Sequence, residues 1–440
     1  MQKEELIEIL SDWNFWKKDI DTGITREEYL NKLLSFIKSD KVISIIGVRR
    51  SGKSFILKQI AKKLIEEGVK RESILIVNFE EPRFEATDLN FLQKVYESYI
   101  EIIKPKEKPF IFLDEIQNVE KWEKFVRALN EKKKAFILVT GSSSKLLSEE
   151  LASVLAGRQI TFEIFPLSFK EFLKFKGVEI KERKDVLLFA EKIRSLLREY
   201  LKFGGYPEVV LSENEELKTR ILRSYFDDIL TKDIVRRFKI KEVEKLRSLV
   251  RFYLTNISSP ITFNSISKFL NLPVETVRRF TNYIETSKSI FFIKRFSQSL
   301  KEQEKAPRKV YAIDVGLSNS IAFRFIESLG KIAENVIAIE LKRREAFNPN
   351  LEIYYWKDYD EKEVDFIVKE GLKIKQLIQC CWDITNPKAK KREVASLIRA
   401  SKKLGCNNLL ILNESFEGKE KINEKEIVYK PIWKWLLQGG

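Results

Sequence analysis

One segment of the sequence carries glycine, lysine and hydroxyl residues at a spacing that suits phosphate binding. It reads Gly47, Val48, Arg49, Arg50, Ser51, Gly52, Lys53 and Ser54, the pattern G-x4-G-K-S, and all but Val48 are candidate cofactor contacts. The glycines let backbone N–H groups turn inward around phosphate oxygens, and the N-terminus of a following helix adds a favourable dipole. Lys53 would reach the β- and γ-phosphates of a nucleotide, and Ser54 would offer its hydroxyl to Mg²⁺. The segment therefore predicts ATP and Mg²⁺ as cofactors.

Two carboxylates follow another apolar run further along the chain. Phe110 to Leu113 are apolar, and Asp114 and Glu115 come directly after them, 61 residues beyond Lys53. A buried strand that delivers acids to its carboxyl edge has this pattern. Asp114 would hold the Mg²⁺ shell through water, and Glu115 would position and polarise the attacking water. Together with the phosphate segment, the pair predicts hydrolysis of ATP to ADP and phosphate.

Two further polar positions lie next to predicted strands. Thr140, in the run TGSSS, would sense the γ-phosphate or orient water; the alternative is a turn before a helix capped at Ser144 or Ser148. Arg158, in the run AGR, would stabilise transition-state charge in a neighbouring subunit, as arginine fingers do. This role requires a homo-oligomer. The alternative is an ordinary surface arginine.

Short apolar runs alternate with helical periodicity around these residues, between positions 42 and 164. The runs are VISIIG, ILIVNF, FIFLDE, AFILVTG and QITFEI. Apolar runs of this length flanked by helices predict a buried parallel sheet in an α/β domain. Residues 165–310 are mostly helical by periodicity. From about residue 318 the pattern predicts a helix, three short strands, a second helix over 388–404 and a last strand.

Composition excludes several classes of function. The 440 residues include 81 Lys or Arg and 65 Asp or Glu, so the formal charge is +16. The chain has no histidine, which excludes catalysis by histidine and metal sites with histidine ligands. Three cysteines, Cys380, Cys381 and Cys406, are too few for a disulfide framework or a four-cysteine zinc site. The first residues lack the apolar stretch of a signal peptide, and no apolar run approaches the ~20 residues of a membrane span. We therefore expect a cytoplasmic protein without a membrane partner.

A set of short motifs is spread in a characteristic order over nearly the whole chain. They are NFW at 14–16, GVRRSGKS at 47–54, LDEIQ at 113–117, TGSSS at 140–144, AGR at 156–158, FPLSFKEF at 165–172, FGGYPEVV at 203–210, VYAIDVGLS at 310–318 and EVDFIV at 363–368. In this order they resemble the archaeal and bacterial AAA-type P-loop ATPases that end in domain of unknown function 4143.

The resemblance implies an α/β architecture with an ASCE-type parallel sheet of order 5-1-4-3-2. A winged helix and a small α/β domain like that of restriction endonucleases would follow. The expected domains are the ATPase at 1–165, a helical lid or connector at 166–240, the winged helix at 241–317 and the endonuclease-like domain at 318–440.

The middle of the chain is strongly basic. Residues 241–309 hold 14 Lys or Arg and 6 Asp or Glu, a net charge of +8. Residues 261–270 and 274–286 form two predicted helices around a turn, and a strand and a hairpin over 301–313 would follow as a wing. Off the apolar face of the second helix, the residues that would contact DNA phosphates are Thr276, Arg278, Arg279 and Asn282. The alternative is a winged helix that packs against a protein partner.

The C-terminal region is expected to lack a complete nuclease site. The resemblance places Glu334 on the first helix and Asp365 on the second strand, where such nucleases hold Mg²⁺. The third strand should then read Glu-x-Lys, but Gln379 and two cysteines stand there. Lys375 is on the same strand face but ~13 Å from Gln379. We therefore expect a fold kept for binding DNA or a partner. An active Mg²⁺-dependent nuclease and a nucleotide-gated protein-interaction switch are the alternatives.

Overall fold

A computed structural model describes residues 1–84, 87–141, 157–322, 329–422 and 424–438. The chain divides into two compact units, Met1–Ile164 and Phe165–Gly440. No helix among the described residues is long and apolar enough to cross a membrane. Ser144 and Ser148 lie outside the described residues, so the helix cap expected at one of them stays a prediction.

The first unit is built on a parallel sheet of five strands. They are β1 Val42–Ile46, β2 Ile74–Asn78, β3 Phe110–Asp114, β4 Phe136–Gly141 and β5 Gln159–Glu163. Each strand forms in one of the five apolar runs, and β1 to β4 are almost entirely buried, as expected for a parallel sheet covered by helices. The order is β2-β3-β4-β1-β5. This confirms the predicted order 5-1-4-3-2, counted from the other edge.

Helices of the first unit cover this sheet. Those described are α1 Lys3–Ser11, α2 Glu27–Ile37, α3 Lys53–Glu66, α4 Leu89–Ser98 and α5 Trp122–Glu131. The apolar faces of α1, α4 and α5 share one core with residues of β1 to β4. In the register of the sheet, Thr140 lies opposite Ile45 and Val139 lies opposite Leu113. The carboxyl ends of β1, β4 and β3 therefore meet at one edge.

The NFW motif protects the open edge of this sheet. The Asn14 side chain donates to the carbonyl oxygen of Ile76 at 2.8 Å and accepts its N–H at 2.7 Å, as a neighbouring strand would. The Trp16 indole N–H donates to the carbonyl oxygen of Ile74 at 2.7 Å. Both acceptors belong to β2, one of the two edge strands of the sheet. The unpaired backbone groups of an exposed edge strand can pair with a strand of another chain and so promote aggregation.

The second unit begins with helices and continues with a mixture of helices and strands. Its described α-helices are α6 Phe169–Phe175, α7 Arg183–Leu188, α8 Ala190–Phe203, α9 Pro207–Leu211, α10 Glu215–Asp228, α11 Val243–Thr255, α12 Phe263–Leu270, α13 Val274–Thr286, α14 Leu300–Lys305, α15 Val315–Ile321, α16 Leu329–Phe347, α17 Pro387–Leu404 and α18 Ile432–Leu437. Its described strands are β6 Ser259–Ile261, β7 Ile290–Arg295, β8 Arg308–Ala312, β9 Leu351–Lys357, β10 Glu363–Glu370, β11 Lys373–Cys380, β12 Leu409–Asn413, β13 Gly418–Ile422 and β14 Lys425–Pro431.

These nine strands form one mixed sheet. Its order is β13-β14-β12-β11-β10-β9-β7-β8-β6. β9, β10 and β11 are antiparallel neighbours, whereas β7 runs parallel to β9 through two residue pairs. The pairing of β7 with β9 joins the strands of the basic middle segment to those of the C-terminal region.

The segment expected to form a hairpin over 301–313 is only partly extended. Its first half is helical, as α14, and its second half is β8, which pairs antiparallel with β7. The backbone N–H of Glu302 donates to the Ser299 hydroxyl, which caps α14. Pro307 follows the helix and favours its termination. The predicted hairpin is therefore wrong, because its first arm is a capped helix and its second arm pairs with the preceding strand β7.

The motifs FGGYP and IDVGL contact each other in the second unit through hydrogen bonds to Asp314. The Asp314 carboxylate accepts the N–H of Gly205 at 2.7 Å and that of Leu317 at 3.0 Å. Gly204 has φ 75°, and a Cβ there would come within 2.1 Å of the Asp314 carboxylate. Burial raises the pKa of Asp314 to about 6, although these backbone N–H groups oppose the rise. Glycine is therefore required at position 204, because a side chain there would collide with the Asp314 carboxylate.

Candidate functional site

The phosphate segment forms the loop between β1 and α3, at the carboxyl edge of the first sheet. Gly47 has φ 150°, and a Cβ there would come within 2.2 Å of the Ile164 carbonyl oxygen. Only glycine allows two backbones to approach so closely. Gly52 directly precedes α3, which begins at Lys53. This places the loop at a helix N-terminus, the backbone environment that favours a bound anion.

Lys53 occupies the inside of this loop. Its ammonium donates to the carbonyl oxygens of Gly47 at 3.1 Å and Val48 at 3.2 Å, and its side chain is buried. Ser51 is also buried, and its hydroxyl has no hydrogen-bond partner in the described part of the chain. A buried group without a partner costs about 1–3 kcal/mol, which a phosphate oxygen would offset. The loop therefore fits a nucleotide phosphate.

Asp114 and Glu115 reach the same edge of the sheet and are held there by Thr140. The buried Thr140 hydroxyl donates to Oδ1 of Asp114 and accepts the Glu115 N–H, with 3.0 Å between N and Oγ1. Glu115 has φ 54°, which is uncommon for a residue other than glycine and is the kind of strain found at functional sites. Thr140 thus fixes the backbone and the side chain of the two acids; its contact with a γ-phosphate stays a prediction.

Burial raises the pKa of both acids. For Asp114, the Thr140 and Ser54 hydroxyls and the Lys53 charge oppose this rise in pKa. For Glu115, the Lys53 charge opposes the rise in pKa and the Asp114 charge adds to it. The structure therefore brings Lys53, Ser54, Asp114, Glu115 and Thr140 together. The hydroxyl and carboxylate oxygens of Ser54 and Asp114 are of the type that Mg²⁺ prefers, so these residues fit the metal.

Three residues to which the sequence analysis gave no role support this site, and one of them, Gln117, ends the motif LDEIQ. Arg26 is buried and donates to a carbonyl oxygen of the phosphate loop at 2.9 Å. The Gln117 amide donates to the Glu115 carboxylate. Glu80 pairs with Arg49 at 3.2 Å. Glu80 follows β2 in the run NFEE, a signal that could have been recognised, whereas the other two become apparent only through their contacts.

Arg158 does not reach this edge of the sheet. It directly precedes β5, and its carbonyl oxygen accepts the N–H of Val42 at the start of β1. Its guanidinium pairs with Glu131 at 2.8 Å. Arg158 therefore lies at the amino ends of the parallel strands, whereas the phosphate loop lies at their carboxyl ends. Because a strand of five residues separates these ends by about 15 Å, Arg158 cannot contact a phosphate bound by the loop of its own chain. A role in a neighbouring subunit stays a prediction. Arg50, in contrast, is exposed on the loop itself, with φ 68°.

The predicted DNA-contacting residues lie on α13. Its apolar face is buried, as its periodicity predicted. The exposed or half-buried candidates are Thr276, Arg278, Arg279 and Asn282. Arg278 pairs with Glu275 at 3.6 Å and lies over the ring of Phe263. The structure thus leaves a short cationic face on this helix.

The acids predicted in the C-terminal region surround a lysine. The Lys309 ammonium lies 3.0 Å from Glu334 of α16, and 2.6 Å from Glu363 and 2.9 Å from Asp365, both of β10. Lys309 belongs to β8 and is buried. The expectation that no lysine is placed at this site is wrong. The lysine comes from a distant strand rather than from the strand of Gln379, so the local pattern around Gln379 could not show it.

Lys309 is held in its charged form. Burial lowers the pKa of Lys309, but the charges of Asp365, Glu334 and Glu363 outweigh burial and keep it well above its usual range. Burial and the Asp365 charge raise the pKa of Glu334 to about 8, although Lys309 opposes the rise. The ammonium is therefore the counter-charge of this buried group of acids.

Gln379 lies beside this cluster and positions Asp365. Its amide oxygen accepts the Asp365 N–H at 3.2 Å, and its amide nitrogen donates to Glu393 at 2.6 Å. The Cys380 N–H donates to Oδ2 of Asp365 at 3.0 Å. A cavity of about 560 Å³ is lined by residues that include Lys309, Glu334, Asp365 and Gln379. Both functions of the Gln379 amide are thus used within the protein.

Three family models match successive parts of the chain. An AAA domain matches residues 39–173. A domain of unknown function, 8612, matches residues 194–327, and domain of unknown function 4143 matches residues 329–434. The first match contains the phosphate loop, Asp114 and Glu115, and the last contains Glu334, Asp365 and Gln379.

Relatives match over nearly the full length. An uncharacterized protein of Methanocaldococcus jannaschii is 35% identical over 95% of this chain and 96% of its own. An uncharacterized protein of Haemophilus influenzae is 32% identical over 94% of this chain and 99% of its own.

Two solved structures are similar at low identity. The Walker-type ATPase of Pyrococcus abyssi has 14% identity and a TM-score of 0.44, over 70% of this chain and 99% of that one. The Holliday junction branch migration motor of Thermotoga maritima has 17% identity and a TM-score of 0.30, over 61% and 89%. On the family models and the full-length relatives, the chain belongs to the family of P-loop ATPases in which an AAA domain is followed by domain of unknown function 4143.

Proposed function

We propose that this chain is an ATPase that binds and hydrolyses Mg-ATP at the loop between β1 and α3. The observation that carries the proposal is the convergence of Lys53, Ser54 and Asp114 on a loop whose buried Ser51 hydroxyl lacks a partner among the described residues. Membership of the AAA family supports nucleotide binding at this loop.

Each residue has a definite part in the proposed reaction. Lys53 would exchange the carbonyl oxygens of Gly47 and Val48 for phosphate oxygens. Bound Mg²⁺, held by Ser54 and Asp114, would supply positive charge at the phosphates. Glu115 would orient the attacking water.

Replacement of Lys53 tests this assignment. Two charge-assisted hydrogen bonds to phosphate, at about 1.5–3 kcal/mol each, predict a loss of about 100-fold or more in ATP affinity or turnover for Lys53→Ala. Lys62→Ala, an exposed lysine of the same helix, is the matched control. Normal binding and turnover in Lys53→Ala would overturn the assignment.

We further propose that the segment from α11 to β8 is a winged helix that binds DNA. The proposal rests on a helix pair, α12 and α13, followed by the antiparallel strands β7 and β8. The test is steady-state ATP hydrolysis with and without duplex DNA, in the wild type and in Arg278→Glu/Arg279→Glu. Several-fold stimulation that disappears at high salt and in the variant supports DNA coupling. A flat response at low salt favours the alternative, a nucleotide-gated switch for a protein partner.

We propose that the C-terminal region binds rather than cleaves DNA. The support is Gln379, a neutral amide at the position where the nuclease pattern needs an acid, and its oxygen and nitrogen are both engaged within the protein. The other candidate is an active nuclease, and plasmid nicking in Mg²⁺ or Mn²⁺ tests it. Nicking by the wild type that disappears in Asp365→Ala would establish cleavage and overturn our proposal.

We also propose that the protein works in the cytoplasm. The three cysteines, Cys380, Cys381 and Cys406, are free thiols. Free thiols suit a reducing compartment. Fractionation of cells that produce the full chain tests the location.

A further inference from the structure

The helix α17 has a strongly unbalanced charge. It carries seven basic residues, at positions 388, 390, 391, 392, 399, 402 and 403, and one acidic residue, Glu393. Glu393 is buried and pairs with Arg392, so it offsets one of these cations. None of the residues with which the function was proposed above lies on this helix.

Part of this charge is neutralised within the protein. Lys390 pairs with Glu420 at 2.8 Å, Arg392 pairs with its neighbour Glu393, and Arg399 pairs with Asp358. The other four cations are lysines, at positions 388, 391, 402 and 403.

Three of these lysines make no contact with an acid. Lys388, Lys391 and Lys402 are exposed, and no ion pair or hydrogen bond of their ammonium groups occurs within the described ranges. Lys403, the fourth, lies over the ring of Trp356. These lysines are available to an anion.

The cations near the N-terminus of α17 are unfavourable for the helix itself. The first turn of α17 contains no acidic residue, and basic residues stand at positions 388, 390, 391 and 392. The N-terminus of a helix carries partial positive charge, and a cation near it costs about 0.3–1 kcal/mol. Lys388 and Lys391, which have no acidic partner among the described residues, and the helix dipole therefore add their positive potentials at this end, where a bound polyanion would relieve the repulsion.

The shape and chemistry of this face favour a phosphate backbone over a protein surface. None of the exposed large apolar side chains of the described residues belongs to α17, and lysine is depleted in protein–protein interfaces. A groove of about 660 Å³ runs beside the helix, but its lining includes the apolar Val394, Ala395 and Ile398 as well as Lys391 and Lys402, so the exposed lysines and not the groove favour phosphate. The two ends of the lysine array are about 22 Å apart at 1.5 Å per residue, about six steps of a DNA strand at 3.4 Å.

We propose that the exposed face of α17 binds the phosphate backbone of duplex DNA, as a contact separate from α13. The inference rests on the proposed function, since it adds a second phosphate surface to a protein proposed to bind DNA. Contacts by lysine give affinity and strong salt dependence without sequence preference.

The test is fluorescence anisotropy of a labelled DNA duplex with the full chain across a series of salt concentrations. The variant is Lys388→Glu/Lys391→Glu/Lys402→Glu. Loss of three phosphate contacts should lower the slope of log K against log salt by about 2–3 and weaken binding at least about tenfold at low salt. The control is Lys62→Glu/Lys170→Glu/Lys192→Glu, which makes the same change of net charge at three exposed lysines elsewhere in the chain that form no ion pair among the described residues.

The outcomes separate this inference from the proposed function. Wild-type slope and affinity in the α17 variant, or a loss equal to that of the control, would overturn the inference. If Arg278→Glu/Arg279→Glu still loses DNA binding in that case, the winged-helix proposal stands alone. If the wild type binds no duplex at low salt, both proposals fail. If poly-glutamate binds in a lysine-dependent way while DNA does not, the partner is an acidic protein and the inference is wrong.

Discussion

The Lys309 ammonium lies 2.9 Å from Oδ1 of Asp365, which is 56 residues further along the chain. Lys309 is on β8 and Asp365 is on β10, and β9 and β7 stand between them in the sheet order. With Glu334 and Glu363, the contact forms a buried ionic cluster. The cluster ties the strands of the basic middle segment to those of the C-terminal region.

We therefore expect Lys309→Met to destabilise the second unit strongly. Removal of one partner leaves buried carboxylates without a counter-charge, which costs about 3–5 kcal/mol in other buried pairs. The free energy of unfolding in urea is the measurement. Lys375→Met is the control, because Lys375 is half-exposed in its pair with Glu370 and should change stability by about 0–1 kcal/mol. Equal stability of the two variants would show that the cluster does not hold the strands together.

Thr140→Val should slow ATP hydrolysis while leaving the fold intact. Valine keeps the shape of threonine but cannot donate to Asp114 or accept the Glu115 N–H. The loss of hydrogen bonds at a charged group, about 1.5–3 kcal/mol, predicts a kcat about 10- to 100-fold lower. Thr140→Ser retains the hydroxyl and should recover most of the rate. A Thr140→Val enzyme with wild-type kcat would rule out this positioning role.

Asn14→Ala should destabilise the first unit and promote association. The variant loses bonds to Ile76 and to the Leu10 carbonyl oxygen, all buried, with an expected cost of about 2–4 kcal/mol. It also uncovers the backbone of the edge strand β2. Thermal unfolding and light scattering are the measurements, and Lys17→Ala, at a nearby exposed lysine, is the control. An unchanged melting temperature would contradict the protective role of Asn14.

Asp314 should make stability depend on pH between about 4 and 6. Its pKa is raised from 3.8 to about 6 by burial, so the folded state holds the proton more tightly than the unfolded state. The stabilising contribution is fully present below pH 3.8 and is lost as pH rises through 6. Relative to Asp314→Asn, the wild type should lose on the order of 2–3 kcal/mol of unfolding free energy over this range. A difference that does not change with pH would contradict the raised pKa.

Local patterns predicted the five strands of the first sheet and the placement of the phosphate loop. The strand order followed from the family resemblance. Strands of this kind can be recognised in a sequence as apolar runs that end in glycine or in acids. A buried parallel strand is apolar along its whole length, and the residues that follow it lie at one edge of the sheet. The pattern from α16 to β12 was predicted in the same way, but β13, β14 and α18, which follow it, were not predicted. The helix α14 was not predicted, because so short a capped helix has too few residues to show a hydrophobic period.

Contacts between distant parts of the chain were decided only by the tertiary structure. Lys309 belongs to an ordinary run, RKVYA, and nothing in that run distinguishes a lysine that reaches Asp365 from one in water. Asn14 likewise becomes a strand partner only because the fold places it beside Ile76. The sequence by itself determined which residues could bind phosphate, since those are contiguous. The folded chain determined which charges are buried together, because burial and distance depend on packing rather than on spacing along the chain.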